Sequence, residues 1–404
     1  MNSTIRQYAL VTGNYWAFTL TDGALRMLVV LHFHQLGYSP LQIASLFLFY
    51  EIFGVITNLF GGYLGARIGL NRTMNIGLGL QIAALLILVV PVQWLSVPLV
   101  MAAQALSGIA KDLNKMSAKS SIKSLVSANQ QKQLFRWVAL LTGSKNALKG
   151  VGFFLGGALL ALVGFKGSIL AMAAMLGAIW LASLILLQQD LGKAKNKPKF
   201  SEVFSKSRAI NILSAARLFL FGARDIWFVV ALPVFLSSQL GWSFLKVGGF
   251  LALWVIGYGV VQSVAPYMTG KSTEKVPDGR SALWWALVLA FITAAIALAM
   301  TNFSNAPVLI SGLCVFGVLF AINSSLHSYL IVSYAREDGA STDVGFYYMA
   351  NALGRLVGTL LSGWIYQASG LIACLWVAAI FIALAALLSL GLPRSIQVNT
   401  DEPR

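Results

Sequence analysis

Acidic residues are scarce in this chain. It has 13 Asp and Glu against 29 Lys and Arg in 404 residues, and charged residues of both signs make up only 10%. A soluble domain carries about 25%, so an ordinary water-facing surface is excluded. Cysteine is limited to Cys314 and Cys374, both in apolar stretches, which leaves no disulfide framework and no metal-ligand spacing. The histidines, His32, His34 and His327, are too few and too scattered for a metal centre. No Walker loop, nucleophile elbow or metal-ligand cluster occurs, so no enzyme, cofactor or metal is expected. No basic soluble segment is long enough for a nucleic-acid-binding module. The N-terminal MNSTIRQYAL lacks the pattern of a cleaved signal peptide, so the first apolar segment is expected to be retained.

What is abundant is hydrophobicity, at 58% of residues. A bilayer core needs roughly 20 apolar residues per helix, so the length admits about twelve spans with short loops. The predicted fold is an all-α integral membrane protein with 12 transmembrane helices. The first six spans are placed at residues 12–36, 39–64, 73–94, 97–122, 134–163 and 167–187. The second six follow at 209–239, 243–268, 281–300, 307–334, 343–366 and 370–390. This divides the chain into an N-terminal six-helix bundle (1–188), a basic linker (189–208) and a C-terminal six-helix bundle (209–404).

Loop charges orient the chain. Arg6, Arg67, Arg72, Lys132, Arg136, the linker residues Lys193, Lys195, Lys197 and Lys199, then Lys271, Lys275, Arg280, Arg336 and Arg394 fall on alternate loops. The positive-inside rule makes both termini and the linker cytoplasmic, in a multi-pass protein of the cell inner membrane. The halves look related. Gln35-Leu36-Gly37-Tyr38-Ser39 recurs as Gln239-Leu240-Gly241-Trp242-Ser243, and Asn146-Ala147-Leu148 as Asn351-Ala352-Leu353. Repeats of equal orientation joined by a basic linker point to a six-plus-six transporter with its site near the bilayer midplane, between the halves.

Charge inside the spans carries the chemistry. Lys111, Lys115, Lys119 and Lys123 recur every four residues, which stacks them along one helix face. A lysine at the centre of a membrane helix costs about 2.5–3.5 kcal/mol. The stripe is best tolerated facing a wet cavity that an anion enters. Lys145 and Lys149 form a second like-charged pair, and Arg26, Arg217, Arg224 and Arg355 lie in other spans. Lysine supplies a mobile point charge, and arginine a planar fork for phosphate-like oxygens. Lys123, Lys132 and Arg217 are read as snorkelling into water at the interface.

Candidate substrate contacts are therefore Arg26, Lys111, Lys115, Lys119, Lys145, Lys149, Arg224, Asn323 and Arg355. The acids Asp22, Glu51, Asp112 and Asp225 are candidates for proton coupling or ion pairing. Asp22 and Arg26 are spaced for an i,i+4 pair, Glu51 has no cation within one turn, and Asp225 points to a different face from its neighbour Arg224. Asn323-Ser324-Ser325 with His327 could hydrogen-bond a substrate hydroxyl or join helices. The glycine cluster Gly150, Gly152, Gly156 and Gly157 suits close helix approach.

The run GGYLGARIGLNR resembles the loop motif of the major facilitator superfamily. Gly62, Leu64, Arg67, Gly69 and Arg72 match, with Ala66 where an aspartate is usual. The resemblance implies a gating loop built on Gly62, Arg67, Gly69 and Arg72. GFFLGG, at 152–157, is similar to the superfamily's antiporter motif, with Phe153 in place of proline. More narrowly, residues 21–55 and 107–123 resemble the organoarsenical efflux permeases (the ArsJ family), and this likeness covers nearly the whole chain. It implies efflux of 1-arseno-3-phosphoglycerate, functional partnership with glyceraldehyde-3-phosphate dehydrogenase and arsenate resistance. The alternatives are an exchanger of other phosphorylated metabolites or a multidrug exporter; a channel or membrane enzyme lacks the expected signals. A monomer in the lipid bilayer is the expected state.

Overall fold

A computed structural model describes residues 3–37, 46–127, 130–187, 191–193, 207–242, 244–269, 277–303, 306–337 and 340–394. These residues are helical almost throughout. The helices are α1 (Ser3–Gln35), α2 (Leu48–Ile68), α3 (Leu70–Ile87), α4 (Val97–Leu125) and α5 (Gln131–Leu186). They continue as α6 (Arg208–Phe228), α7 (Ala231–Ser238), α8 (Phe244–Thr269), α9 (Gly279–Asn302), α10 (Ala306–Tyr334) and α11 (Ala340–Ser389). Tyr38, Ser39 and Ser243 of the pentapeptide repeat, and Lys195, Lys197, Lys199, Lys271 and Lys275, lie outside the described residues.

Among the described residues, six helical stretches are long and apolar enough to cross a membrane. Two of them exceed one crossing. At 1.5 Å per residue a helix spans a 30 Å core in about 20 residues, whereas α5 has 56 residues and α11 has 50. Each is broken once, at Gly164 (φ 68°, ψ −179°) and at Gly370 (φ 76°, ψ −174°). A positive φ with an extended ψ is open to glycine and nearly closed to residues with a Cβ. The first break falls in the gap predicted between spans, and the second at the first residue of the span predicted at 370–390. Where charge interrupts the apolar run, as in α4, the helix persists because α-helical hydrogen bonds are internal to the segment.

Contacts group the chain into two compact units. The first comprises Met1–Leu125, Ser144–Ser205 and Arg336–Ala352; the second comprises Val126–Gly143, Lys206–Ala335 and Leu353–Arg404. In the first unit Leu25, Leu28, Val29 and Phe33 of α1 pack with Leu85, Val100, Ala103, Phe165 and Ile169. In the second, Trp227 of α6 meets Phe316 of α10 edge-on at 4.9 Å and Trp254 of α8 at 6.2 Å. Outward faces carry large apolar side chains, including Ile185 at 82% and Phe291 at 72% exposure. A water-soluble monomer rarely exposes such surface, and lipid covers it here.

The same helix crossing occurs in both units. In the first, a Cβ on Gly152 of α5 would lie 2.7 Å from the Leu20 carbonyl oxygen and 3.1 Å from the Gly23 Cα of α1. In the second, Gly354 and Gly358 of α11 press against the backbone of Leu218 and Gly222 in α6. Within the glycine cluster, Gly152 and Gly156 therefore serve close packing. Gly152→Ala is expected to cost about 1–3 kcal/mol by overpacking, read as a lower melting temperature in detergent. Gly177→Ala, with nothing within 4 Å of its Cβ, is the control and should leave melting unchanged.

Candidate functional site

The first unit gathers charge from α1, α2, α4 and the start of α11. The α4 stripe lies on one face, as its spacing predicts, but its environment is graded. The Lys111 and Lys115 side chains are 18% and 12% exposed, whereas Lys119 is 2% exposed. Asp112, 2% exposed, sits between the first two, 3.6 Å from Lys111 Nζ and 2.5 Å from Lys115 Nζ. Gly54 of α2 makes the room, since a Cβ there would lie 2.8 Å from Asp112 Oδ2.

Aromatic rings complete the neutralisation. Lys111 Nζ stands 3.8 Å from the centroid of the Tyr50 ring, and Lys115 and Lys119 stand 4.6 and 4.9 Å from that of Tyr348. The Lys119 ammonium also donates to the Tyr348 hydroxyl. Cation–π contacts of this kind stabilise partly desolvated ammonium groups.

The expected Asp22–Arg26 pair does not form. Arg26 Nη2 reaches Glu51 Oε1 of α2 at 3.3 Å, and its guanidinium lies 4.7 Å from the centroid of the Tyr50 ring. Asp22 instead accepts from the Tyr50 hydroxyl at 2.7 and 3.0 Å. Helical spacing permits an i,i+4 contact but does not compel it when a neighbouring helix offers better partners. Glu51 thus has a cation after all, from another helix. The cluster is less positive than the sequence alone suggests: Arg26, Lys111, Lys115 and Lys119 meet Asp22, Glu51 and Asp112. Lys145 and Lys149 are half-buried on α5, with Lys149 Nζ 5.9 Å from the Phe153 ring centroid.

The second unit repeats one theme, a buried carboxylate between two cations. Asp225 is fully buried and takes Arg224 Nη2 at 2.5 Å and Arg355 Nε at 3.1 Å. Arg355 supplies the partner that Asp225 lacked in its own helix, yet Arg224 pairs with it too, because the long guanidinium reaches round the helix. Arg217 does not snorkel into water. It is 3% exposed, stacks 3.6 Å from the Phe221 ring centroid and donates to Ser324 at 3.3 and 3.4 Å. Asn323 is a helix tie, its amide donating to the carbonyls of Trp285 (2.9 Å) and Leu319 (3.0 Å). His327 is fully buried, and neither ring nitrogen has a hydrogen-bond partner among the described residues.

The presumed gating loop is mostly helix. Gly62 and Arg67 lie inside α2 and Arg72 inside α3; only Gly69, at φ 101°, separates the two. The Gly62 carbonyl accepts from the Ser341 hydroxyl at 2.7 Å, and Arg67 stacks 5.3 Å from the Tyr63 ring centroid. Arg336 pairs with Asp343 at 3.2 Å. Tyr50 and Tyr348 were missed as site residues, because an aromatic in an apolar run carries no signal of its own.

The Major Facilitator Superfamily profile matches residues 11–359. The human organic anion transporter MFSD10 (TETRAN) superposes with a TM-score of 0.76 at 15% identity, covering 96% of this chain and all of its own, 100%. The fucose:proton symporter FucP of E. coli gives 0.74 at 13% identity, over 96% and 99%. A bacterial homologue of the iron transporter ferroportin gives 0.72 at 18% identity, over 95% and 98%. No curated protein sequence matches. At such identities the structures speak for the fold alone, and the profile speaks for the lineage: this chain belongs to the major facilitator superfamily.

Proposed function

We propose that the protein is a secondary-active exporter of an anionic organoarsenical or organophosphate, with 1-arseno-3-phosphoglycerate as its substrate. The superfamily consists of membrane transporters, not enzymes, and this is the ground on which the finer reading stands. The observation that carries it is the α4 stripe, whose Lys111 and Lys115 remain partly exposed between aromatic rings. Such a stripe offers ammonium groups to a multiply charged anion at little further desolvation cost. Arg26, in the same unit, would receive a second anionic end, where an arginine fork suits phosphate-like oxygens. Asp22, Glu51 and Asp112 are the proton-coupling candidates.

In this reading the chain forms twelve spans in two six-helix repeats joined by the 189–208 linker. Both termini are cytoplasmic, and it works as a monomer in the inner membrane by alternating access. Glyceraldehyde-3-phosphate dehydrogenase, using arsenate in place of phosphate, would supply the substrate.

The test is arsenate resistance in a sensitive cell that overproduces the dehydrogenase. Protection by the wild-type chain, lost with Lys111→Ala and with Lys145→Ala, is the expected result. Full protection by both variants would exclude these lysines as essential contacts. Uptake of labelled phosphoglycerate but not the arsenical into everted vesicles would favour an exchanger of ordinary phosphorylated metabolites.

A further inference from the structure

The second unit carries a groove that the transport reading does not use. It lies where the start of α9 meets the end of α11, has a volume of about 260 Å³ and is lined by Arg280, Leu283, Trp284, Leu390 and Arg394 among others. One end is cationic. Arg280 and Arg394 are both exposed, and neither has an ion-pair or hydrogen-bond partner among the described residues. Asp278, two residues before Arg280, is committed to a capping box: it accepts from the Ser281 backbone N–H at 3.1 Å. The other end is apolar. Trp284 is 57% exposed and Leu390 51%, and the same face of α9 runs on through Leu287, Val288 and Phe291, the last at 72%.

The groove is built, not a frayed end. The Pro393 carbonyl accepts from the Gly279 N–H at 3.0 Å and from the Tyr334 hydroxyl at 3.3 Å, which pins the backbone beside Arg394 against α9. A side chain on Gly279 would collide with Leu392 and Pro393. The first unit shows the same design at the matching place. A groove of about 460 Å³ joins the first turn of α3 to the end of α5, with Arg72, Ile76, Trp180 and Leu184 in its lining. An arginine in the first turn, an aromatic and an aliphatic wall recur in both units.

We infer that the α9–α11 groove binds the headgroup of an anionic phospholipid. Both helices are membrane-spanning by length and composition. Their exposed apolar faces adjoin acyl chains, and a tryptophan at a helix end sits at headgroup depth. The two guanidinium groups take the phosphate, one or both in bidentate fashion, and the first acyl carbons lie along Trp284, Leu287 and Phe291. Basic pockets between membrane helices suit anionic headgroups for this reason. A water-soluble phosphate ester would use the arginines but gain nothing from the apolar wall. The inference rests on the chain's membrane location, not on what it transports.

The test uses the full-length protein, delipidated in detergent, with bound lipid counted by native mass spectrometry. Phosphatidylglycerol, phosphatidylcholine and free glycerol phosphate are added in separate arms. Phosphatidylglycerol should bind preferentially, and glycerol phosphate should not displace it at equal concentration. Near a membrane surface each arginine contributes about five-fold in affinity, so Arg280→Ala with Arg394→Ala should weaken phosphatidylglycerol roughly 25-fold. Unchanged binding in the double variant would overturn the assignment. So would equal retention of phosphatidylcholine, or displacement by glycerol phosphate, which would mark a site for soluble anions. If the double variant does not fold, the single Arg280→Gln change on an exposed position decides, with about a five-fold loss expected.

Discussion

Under the proposed function, replacing Lys111, Asp112 and Lys115 together by Gln, Asn and Gln is expected to leave a folded protein that no longer transports an anionic substrate. The three changes must be made together. Removing both lysines alone would strand Asp112, which is 2% exposed, and an uncompensated buried charge costs about 3–5 kcal/mol. That variant would fail by unfolding and say nothing about transport. The neutral triplet keeps the shape and removes both the charge and its counter-ion, so its melting temperature in detergent should stay close to wild type. Each charge-assisted hydrogen bond to a substrate oxygen contributes about 1.5–3 kcal/mol. Loss of two should lower export on the order of a hundredfold or more. Everted vesicles with labelled substrate measure the transport rate, and thermal unfolding controls for the fold. Wild-type transport by the triplet would remove the α4 stripe from the substrate path.

Asp225→Asn is expected to cause the largest loss of stability of any single change at the charged clusters. Its carboxylate is fully buried and holds Arg224 at 2.5 Å and Arg355 at 3.1 Å. The amide leaves two guanidinium groups facing each other without an anion. Breaking a buried pair costs about 3–5 kcal/mol. The Arg224 side chain is 17% exposed and that of Arg355 34%, so water screens part of the repulsion and the lower end of that range applies. Arg355→Met should be milder, since Asp225 keeps Arg224. The double variant should recover stability relative to Asp225→Asn alone, and a double-mutant cycle on melting free energies reads this coupling. An Asp225→Asn protein that melts like wild type would show that the arginines are hydrated and that Asp225 does not hold the cluster.

The two changes probe the same arrangement in different units: a carboxylate set between two cations, Asp112 between lysines and Asp225 between arginines. A buried anion of this kind balances the charge of the cations beside it. Tyr50 belongs to the same machinery, for it holds Asp22 by its hydroxyl while its ring lies beside Arg26 and Lys111.

The sequence by itself determined that this is an all-helical membrane transporter fold, and it ended one span and began the next within a few residues of the breaks at Gly164 and Gly370. It also placed the α4 lysines on one face. These features depend on hydropathy and on 3.6-residue periodicity, both of which act over a few neighbouring residues. Only the tertiary structure decided that Arg26 takes Glu51 rather than Asp22, that Asp225 bridges Arg224 and Arg355, and that Arg217 is buried on Phe221. It alone brought Tyr348 to Lys119, residues far apart in the chain. Charge pairing is a competition among every partner that packing brings within a few ångströms, and side chains of different helices meet at distances no local spacing encodes.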